Sequence, residues 1–351
     1  MIVDIAIVPS ALTDLAFSRL KRGSVAAQRT VRETLLAHGS LVFASDAEIG
    51  EFIAAIKKSP LLLSPERDRW LNFLTLLNQQ KRLLPNFLPS GFKLCDLNSE
   101  SDLAGLNGTG EKVLVLSEDQ FDRVFPNNPA AVEEIRAEIS ATTSGGLGEV
   151  SVIESKRALA VAGAHAQGTD RDHVWNELFA PLARRSKGVS VLDRYMFSEL
   201  ARRDSGIRSR HPPEHLIWLL NHLAATSPVG TRVRLVGGYG DESHVPEEAT
   251  QLMDLILRQW NASPGGIIEL EVTLANWRVN TDLPHNRHIR FGSLGYTLAE
   301  GLDRLSSPRL WDEDGLNWTY KWDFESTQML ANRETRVEQS STVSSMRRTL
   351  P

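Results

Sequence analysis

The chain has 351 residues, more than one ordinary core accommodates, and reads as two domains. Hydrophobic residues at 41% and charged residues at 24% are ordinary globular values, and a net charge of −5 excludes a global pull toward nucleic acid, so any polyanion site must be a local patch. One cysteine, Cys95, excludes an internal disulfide framework; no apolar run approaches the ~20 residues of a membrane span, no basic-then-apolar leader opens the chain, and the reading is cytoplasmic.

Residues 1–8 read as a buried strand interrupted by one carboxylate, Asp4, and Pro9-Ser10 as a helix start. Helical patterning follows over 16–36, and 41–43 is a second short strand. Ser45 and Glu48 have the spacing of a capping box that opens a helix through residue 56. Residues 65–84 predict another helix, with Trp70, Phe73, Leu74 and Leu77 on one face. Residues 92–96 and 112–117 read as further strands. Strands alternating with helices predict a parallel α/β sheet.

The Ser/Thr/Gly-rich stretch within 139–150 is the predicted linker between a domain over 1–138 and one over 151–334. The second half repeats the α/β pattern: helices over 174–183, 213–225 and 247–260, and strands over 189–193, 232–236 and 267–274. Gly237-Gly238-Tyr239-Gly240 follows a strand but lacks nucleotide-loop spacing and reads as a tight turn. The aromatic segment 311–324 predicts a hairpin or edge pair, with Trp318, Tyr320, Trp322 and Phe324 sharing one strand face for core packing or a dimer interface. Residues 335–351, rich in Ser, Thr and Arg, are predicted to be a disordered tail.

Carboxylates recur near the ends of the first-half strands. Asp4, Glu48 or Glu51, Asp96 or Asp102, and Asp119 would repel one another at a shared edge unless they held a divalent cation. Mg²⁺ or Mn²⁺ suits such oxygen ligands, and the ion could orient a water for attack on a phosphodiester. The order of these acids resembles the PIN-domain nucleases. Ser101-Asp102-Leu103-Ala104 and the run Val113-Leu114-Val115-Leu116-Ser117-Glu118-Asp119-Gln120-Phe121 carry the closest local match. The resemblance implies that Asp4, Glu51, Asp102 and Asp119 are both the metal ligands and the catalytic set.

In the second half, Val174–Leu182, Val189–Asp193 with Arg194-Tyr195, then His285-x-Arg287-x-Ile289-Arg290-Phe291 and Gly301-Leu302-Asp303, stand in an order similar to the phospholipase-D-like domain at the C-terminus of MIT-domain proteins. That resemblance implies a phosphate-type site at His285, Arg287 and Arg290. His288 stands where the family motif commonly carries an acid. Phospholipase D enzymes use two His-x-Lys motifs. Here one motif has arginine in the lysine position, which suits bidentate phosphate binding better than proton transfer. Arg202, Arg203, Arg208, Arg210 and His211 add a basic loop able to track a phosphate backbone, with Arg208 and Arg210 as candidate phosphate contacts.

The expectation is thus a two-domain α/β protein, an N-terminal PIN-like parallel sheet joined to a phospholipase-D-like domain. Its expected function is metal-dependent cleavage of RNA or single-stranded DNA, with the second domain binding phosphate or a protein partner; by analogy of architecture such a fusion suits an antiphage system. One alternative is a binding or assembly module with both domains catalytically silent. Another is a His285-based phosphodiesterase completed by a homodimer.

Overall fold

The computed structural model describes residues 2–13, 21–106, 111–128, 132–136, 138–161, 163–197, 215–238, 248–260, 263–275, 287–340 and 343–351. The chain is mixed α/β and divides into two compact units, residues 2–157 and Ala158–Pro351.

The first unit is built on six strands: β1 (Val3–Ile7), β2 (Gly39–Val42), β3 (Leu83–Leu84), β4 (Lys112–Leu116), β5 (Val132–Arg136) and β6 (Ile139–Thr143). They run in the order β3-β2-β1-β4-β6-β5, all parallel except β5, which pairs antiparallel with β6. Every residue of β1, β2, β4 and β6 is buried, as a sheet covered by crossover helices requires.

The Ser45 half of the expected capping box forms, and Glu48 reaches one residue past the cap. Ser45 Oγ accepts from Glu48 N–H at 3.3 Å, while Glu48 Oε2 accepts from Ala44 N–H at 2.6 Å, opening the helix Asp46–Lys58. The helix predicted over 65–84 ends at Gln79. Lys81, in the left-handed region at φ 57°, turns the chain into β3. Trp70 is fully buried on that helix, its indole N–H donating to Gln28 Oε1 and the Arg32 guanidinium 5.4 Å over its ring.

Two first-half expectations are corrected. Residues 92–96 form no strand among the described residues; Leu94–Asp96 is a 3₁₀ turn, fixed by Gln120, whose side-chain amide donates to the Leu94 and Leu97 carbonyls at 2.8 and 3.2 Å. The stretch 139–150 is not a linker, because β6 is a buried strand beside β4. Its small hydroxyl residues pack there because internal partners satisfy them: Thr142 Oγ1 donates to Thr143 O, and Ser144 Oγ, just beyond the strand, donates to Ala11 O at 2.7 Å.

The second unit carries β7 (Gly163–His165), β8 (Gly188–Asp193), β9 (Thr231–Gly237), β10 (Ile267–Ala275), β11 (Arg287–Phe291), β12 (Leu294–Leu298), β13 (Leu316–Lys321) and β14 (Val343–Thr349). Their order is β14-β10-β9-β8-β11-β12-β13-β7; β8, β9 and β10 are mutually parallel and the remaining pairings antiparallel. The helices His215–Thr226 and Ala249–Gln259 follow β8 and β9, close to where the apolar periodicity puts them.

The C-terminus is the largest departure. The helix Phe324–Glu338 starts on the last residue of the expected hairpin, and its last turn and β14 occupy the expected disordered tail. β14 buries little; it is held by its ladder along β10, by Thr273 Oγ1 and Ser345 Oγ at 3.0 Å, and by Arg347 on Glu271 and Arg348 on Asp254, at 3.0 and 2.8 Å. Hydropathy does not register that kind of support. Of the aromatic series, Trp318 and Tyr320 are buried on β13, whereas Phe324 opens the helix and is exposed.

Candidate anion site at a sheet edge

In a parallel sheet the carboxyl ends of the strands gather loops and ligands, so each unit has one edge to inspect. In the first unit, Ile7, Val8 and Pro9 stand at the carboxyl end of β1, beside a cavity of about 510 Å³ that Glu51, Asp96 and Cys95 also line. The acid expected there is absent. Asp4 lies at the amino end of β1, roughly 10 Å back along the strand at 3.3 Å per residue. It is paired in register with Lys112, whose buried ammonium sits 3.7 Å from its carboxylate. A buried carboxylate beside a buried lysine is a structural pair.

Asp102 serves the turn. Its carboxylate accepts from the Asn98 and Ser99 N–H groups, both at 3.0 Å, and those hydrogen bonds hold it below the usual carboxylate range. Asp119 is exposed in the first turn of the helix Glu118–Val124, behind the Ser117 N-cap, where an acid complements the helix dipole. Glu48, Glu51 and Asp96 all line the cavity, Glu48 while accepting from the Ala44 N–H, and Asp4, Glu51, Asp102 and Asp119 do not converge into a three-ligand set among the described residues. This corrects the expectation of a shared Mg²⁺ or Mn²⁺ site on those four acids.

The second unit behaves differently. Residues far apart in sequence meet at the carboxyl edge of β8, β9 and β10. Asp193, the last residue of β8, is buried; its Oδ1 accepts from Tyr195 N–H at 2.9 Å and its Oδ2 from Leu302 N–H at 3.0 Å. One carboxylate thus ties the Asp193-Arg194-Tyr195 corner to the Gly301-Leu302-Asp303 motif. Arg287, first residue of β11, places Nε 3.6 Å from Asp193 Oδ1 and donates from Nη1 to Ala299 O at 3.3 Å. The Arg194 and Arg287 guanidinium carbons each lie 5.6 Å from the Tyr195 ring centroid.

Glycine is required where these elements touch. Gly301 has φ +99°, and a Cβ there would lie 2.9 Å from Arg287 Nε and 3.0 Å from Asp193 Oδ2. A Cβ on Gly237, the last residue of β9, or on Gly238 would lie 2.4 or 2.5 Å from the Asp193 or Ala275 carbonyl oxygen, so close backbone packing requires the pair; Tyr239 and Gly240, read with them as a tight turn, lie outside the described residues.

Asp303 keeps an exposed surface, yet the protein mass around it and the Asp193 carboxylate push its carboxyl up; His215, Arg287 and Arg304 pull against them. His215, buried at the start of its helix, belongs to this edge and was missed by sequence reasoning. Its available signal was position: an ionisable residue opening the helix that follows β8.

Arg290 is corrected as a phosphate contact. Period-two alternation separates it from Arg287, and it is committed elsewhere: Nε donates to Glu334 Oε1 at 2.9 Å, Nη2 to Glu334 Oε2 at 2.5 Å, and Nη1 to Gly292 O at 2.8 Å. His288, buried beside it, places Nε2 2.9 Å from Glu334 Oε1, so the acid missing from the motif is supplied by the helix Phe324–Glu338. Burial pushes the Glu334 carboxyl up, but hydrogen bonds from His288 and Arg290 outweigh it and bring the group down to about 2. His285, Arg202, Arg203, Arg208, Arg210 and His211 lie outside the described residues.

No family model matches the chain, and no curated protein matches it. Among solved structures, TrmBL2, an archaeal chromatin protein whose structure shows a novel mode of DNA binding, is similar at a TM-score of 0.24 and 8% identity, over 54% of this chain and 58% of that one. The chain therefore spans less than two thirds of that protein's length, and a likeness of that size establishes neither fold nor function. Among the described residues no helix is long and apolar enough to cross a membrane.

Proposed function

We propose that this protein is a phosphate-recognising binding module, with its recognition surface at the carboxyl edge of β8, β9 and β10, rather than a metal-dependent nuclease built on its first-half acids. The observation that carries this reading is the joining of Arg287 to Asp193 and Tyr195 at that edge. A guanidinium has five donors in a fixed fork. The Asp193 side and the Ala299 carbonyl orient Arg287, and among the described residues its remaining donors are left for two oxygens of a phosphate. Arg194 adds a second cation on the Tyr195 ring.

The scattered acids of the first unit favour this reading over cleavage, since a hydrolytic metal site needs several ligands within about 2 Å of one ion. The proposed ligand is a phosphodiester strand, held by its backbone without base readout. Titrating labelled single-stranded RNA and DNA into the full chain tests this. Arg287→Lys keeps a cation opposite Asp193 but loses the fork, and is expected to weaken binding about tenfold. Arg194→Ala is expected to weaken binding less and to flatten its salt dependence. Equal affinity in both variants would move the site away from this edge.

A further inference from the structure

A second cluster, remote in sequence from those residues, has the donor set of a metal site. His165 closes β7, and His173 and Glu177 stand one helical turn apart, on Arg171–Val174 and on the π-helical turn Trp175–Phe179 that continues it. His165 is positioned from behind. Gly163, two residues earlier, lets β7 come so close to Trp318 that a Cβ would lie 2.1 Å from the indole, and the His165 ring packs on the same indole at 4.8 Å.

The donor atoms converge from the strand and the helix. His165 Nε2 lies 3.3 Å from Glu177 Oε2, His173 Nε2 lies 3.5 Å from the same oxygen, and the three ligand atoms all fall within 4.8 Å of one another. The His165 side chain is 11% exposed, and among the described residues its buried Nε2 makes no hydrogen bond although the Glu177 carboxylate lies 3.3 Å away. An imidazole nitrogen held beside a carboxylate in that way needs an explanation.

Bond lengths supply one. Zinc bonds nitrogen and oxygen at about 2.1 Å, so two ligands of a tetrahedral site stand roughly 3.4 Å apart. The two separations to Glu177 match that edge. Imidazole and carboxylate donors together suit first-row transition ions rather than Mg²⁺ or Ca²⁺.

We propose that His165, His173 and Glu177 bind one divalent transition-metal ion of the zinc type, which fastens the edge strand β7 to the helix beside it. His173 is 63% exposed, so the fourth coordination position opens to water. The site owes nothing to the four acids of the first unit or to the Arg287 edge.

The full chain, stripped with EDTA, is titrated with Zn²⁺ by calorimetry and with Co²⁺ by visible absorption. The wild type is expected to bind one tight equivalent with tetrahedral Co²⁺ bands and to gain thermal stability from Zn²⁺. His173→Ala, a surface change that leaves the metal-free midpoint unchanged, is expected to lose at least about tenfold in affinity together with the bands. Glu177→Gln, which keeps the shape and removes the anionic donor, should do the same. Absence of binding in the wild type, which would leave an ordinary histidine–glutamate contact, overturns the site. So does binding unchanged in both variants, which would place the metal elsewhere.

Discussion

The two sheet edges present the same topological opportunity and use it in opposite ways. In the first unit, the four acids expected to share one ion, Asp4, Glu51, Asp102 and Asp119, do not converge among the described residues. Asp4 pairs with Lys112 at the amino end of the strands, Asp102 holds a turn, and Asp119 decorates a helix start. In the second unit, Asp193, Arg287 and Leu302, separated by up to 109 positions, are joined directly. Spacing along a chain places a residue on an element but does not choose which end of the strand it occupies. A difference of three residues in β1 puts a carboxylate at the wrong edge for metal chemistry.

The largest effects belong to buried charges. Glu334→Gln leaves His288 and Arg290 without their anion and should cost about 3–5 kcal/mol in urea unfolding. The pH dependence follows with its sign. A carboxyl lowered from 4.5 to about 2 stabilises the folded state fully above pH 4.5, and that contribution is lost as pH falls toward 2. The wild type should therefore lose about 3 kcal/mol across that window, a slope that Glu334→Gln should flatten. Asp4→Ala should cost about 3 kcal/mol by removing the carboxylate that sits 3.7 Å from the buried Lys112 ammonium, while leaving phosphodiester binding intact. Were Asp4 catalytic, it would instead abolish an activity at little cost in stability.

Gly301→Ala comes next, at about 1–3 kcal/mol from the left-handed backbone, and should weaken phosphate binding by displacing Arg287. Asp303 supplies a gentler probe. Its raised carboxyl, once ionised, repels an anion at the same edge, so affinity should rise as pH falls through its titration, and Asp303→Asn should remove that dependence. The smallest effect is expected from Asp102→Asn, whose exposed side chain only caps a turn. Its thermal midpoint and ligand affinity should stay close to wild type.

The fold was largely legible. Burial of whole strands produces the apolar runs that mark β1, β4 and β8, and the Ser45–Glu48 spacing marked the start of its helix, which runs on to Lys58. What escaped was stabilised by something other than apolar burial. β6 is rich in Ser and Thr with their hydroxyls satisfied internally, and β14 is held by a ladder and surface arginines. The site was legible in part. Arg287 and the motifs around it were readable as an ordered series, whereas Arg290 was not separable from Arg287 until Glu334, 44 residues onward, was seen to claim it. His165, His173 and Glu177 carry no recognisable motif, because their convergence depends on β7 adding to the far edge of the sheet beside β13.

The central claim is that the second unit's edge, and not the first unit's acids, meets phosphate. The most direct measurement follows one labelled single-stranded RNA by anisotropy and by gel, in Mg²⁺, Mn²⁺ or EDTA, with the wild type, Arg287→Lys and Asp102→Asn in parallel. RNA is expected to stay intact throughout, with binding weakened about tenfold only in Arg287→Lys. Metal-dependent cleavage that disappears in Asp102→Asn and persists in Arg287→Lys would contradict the central claim.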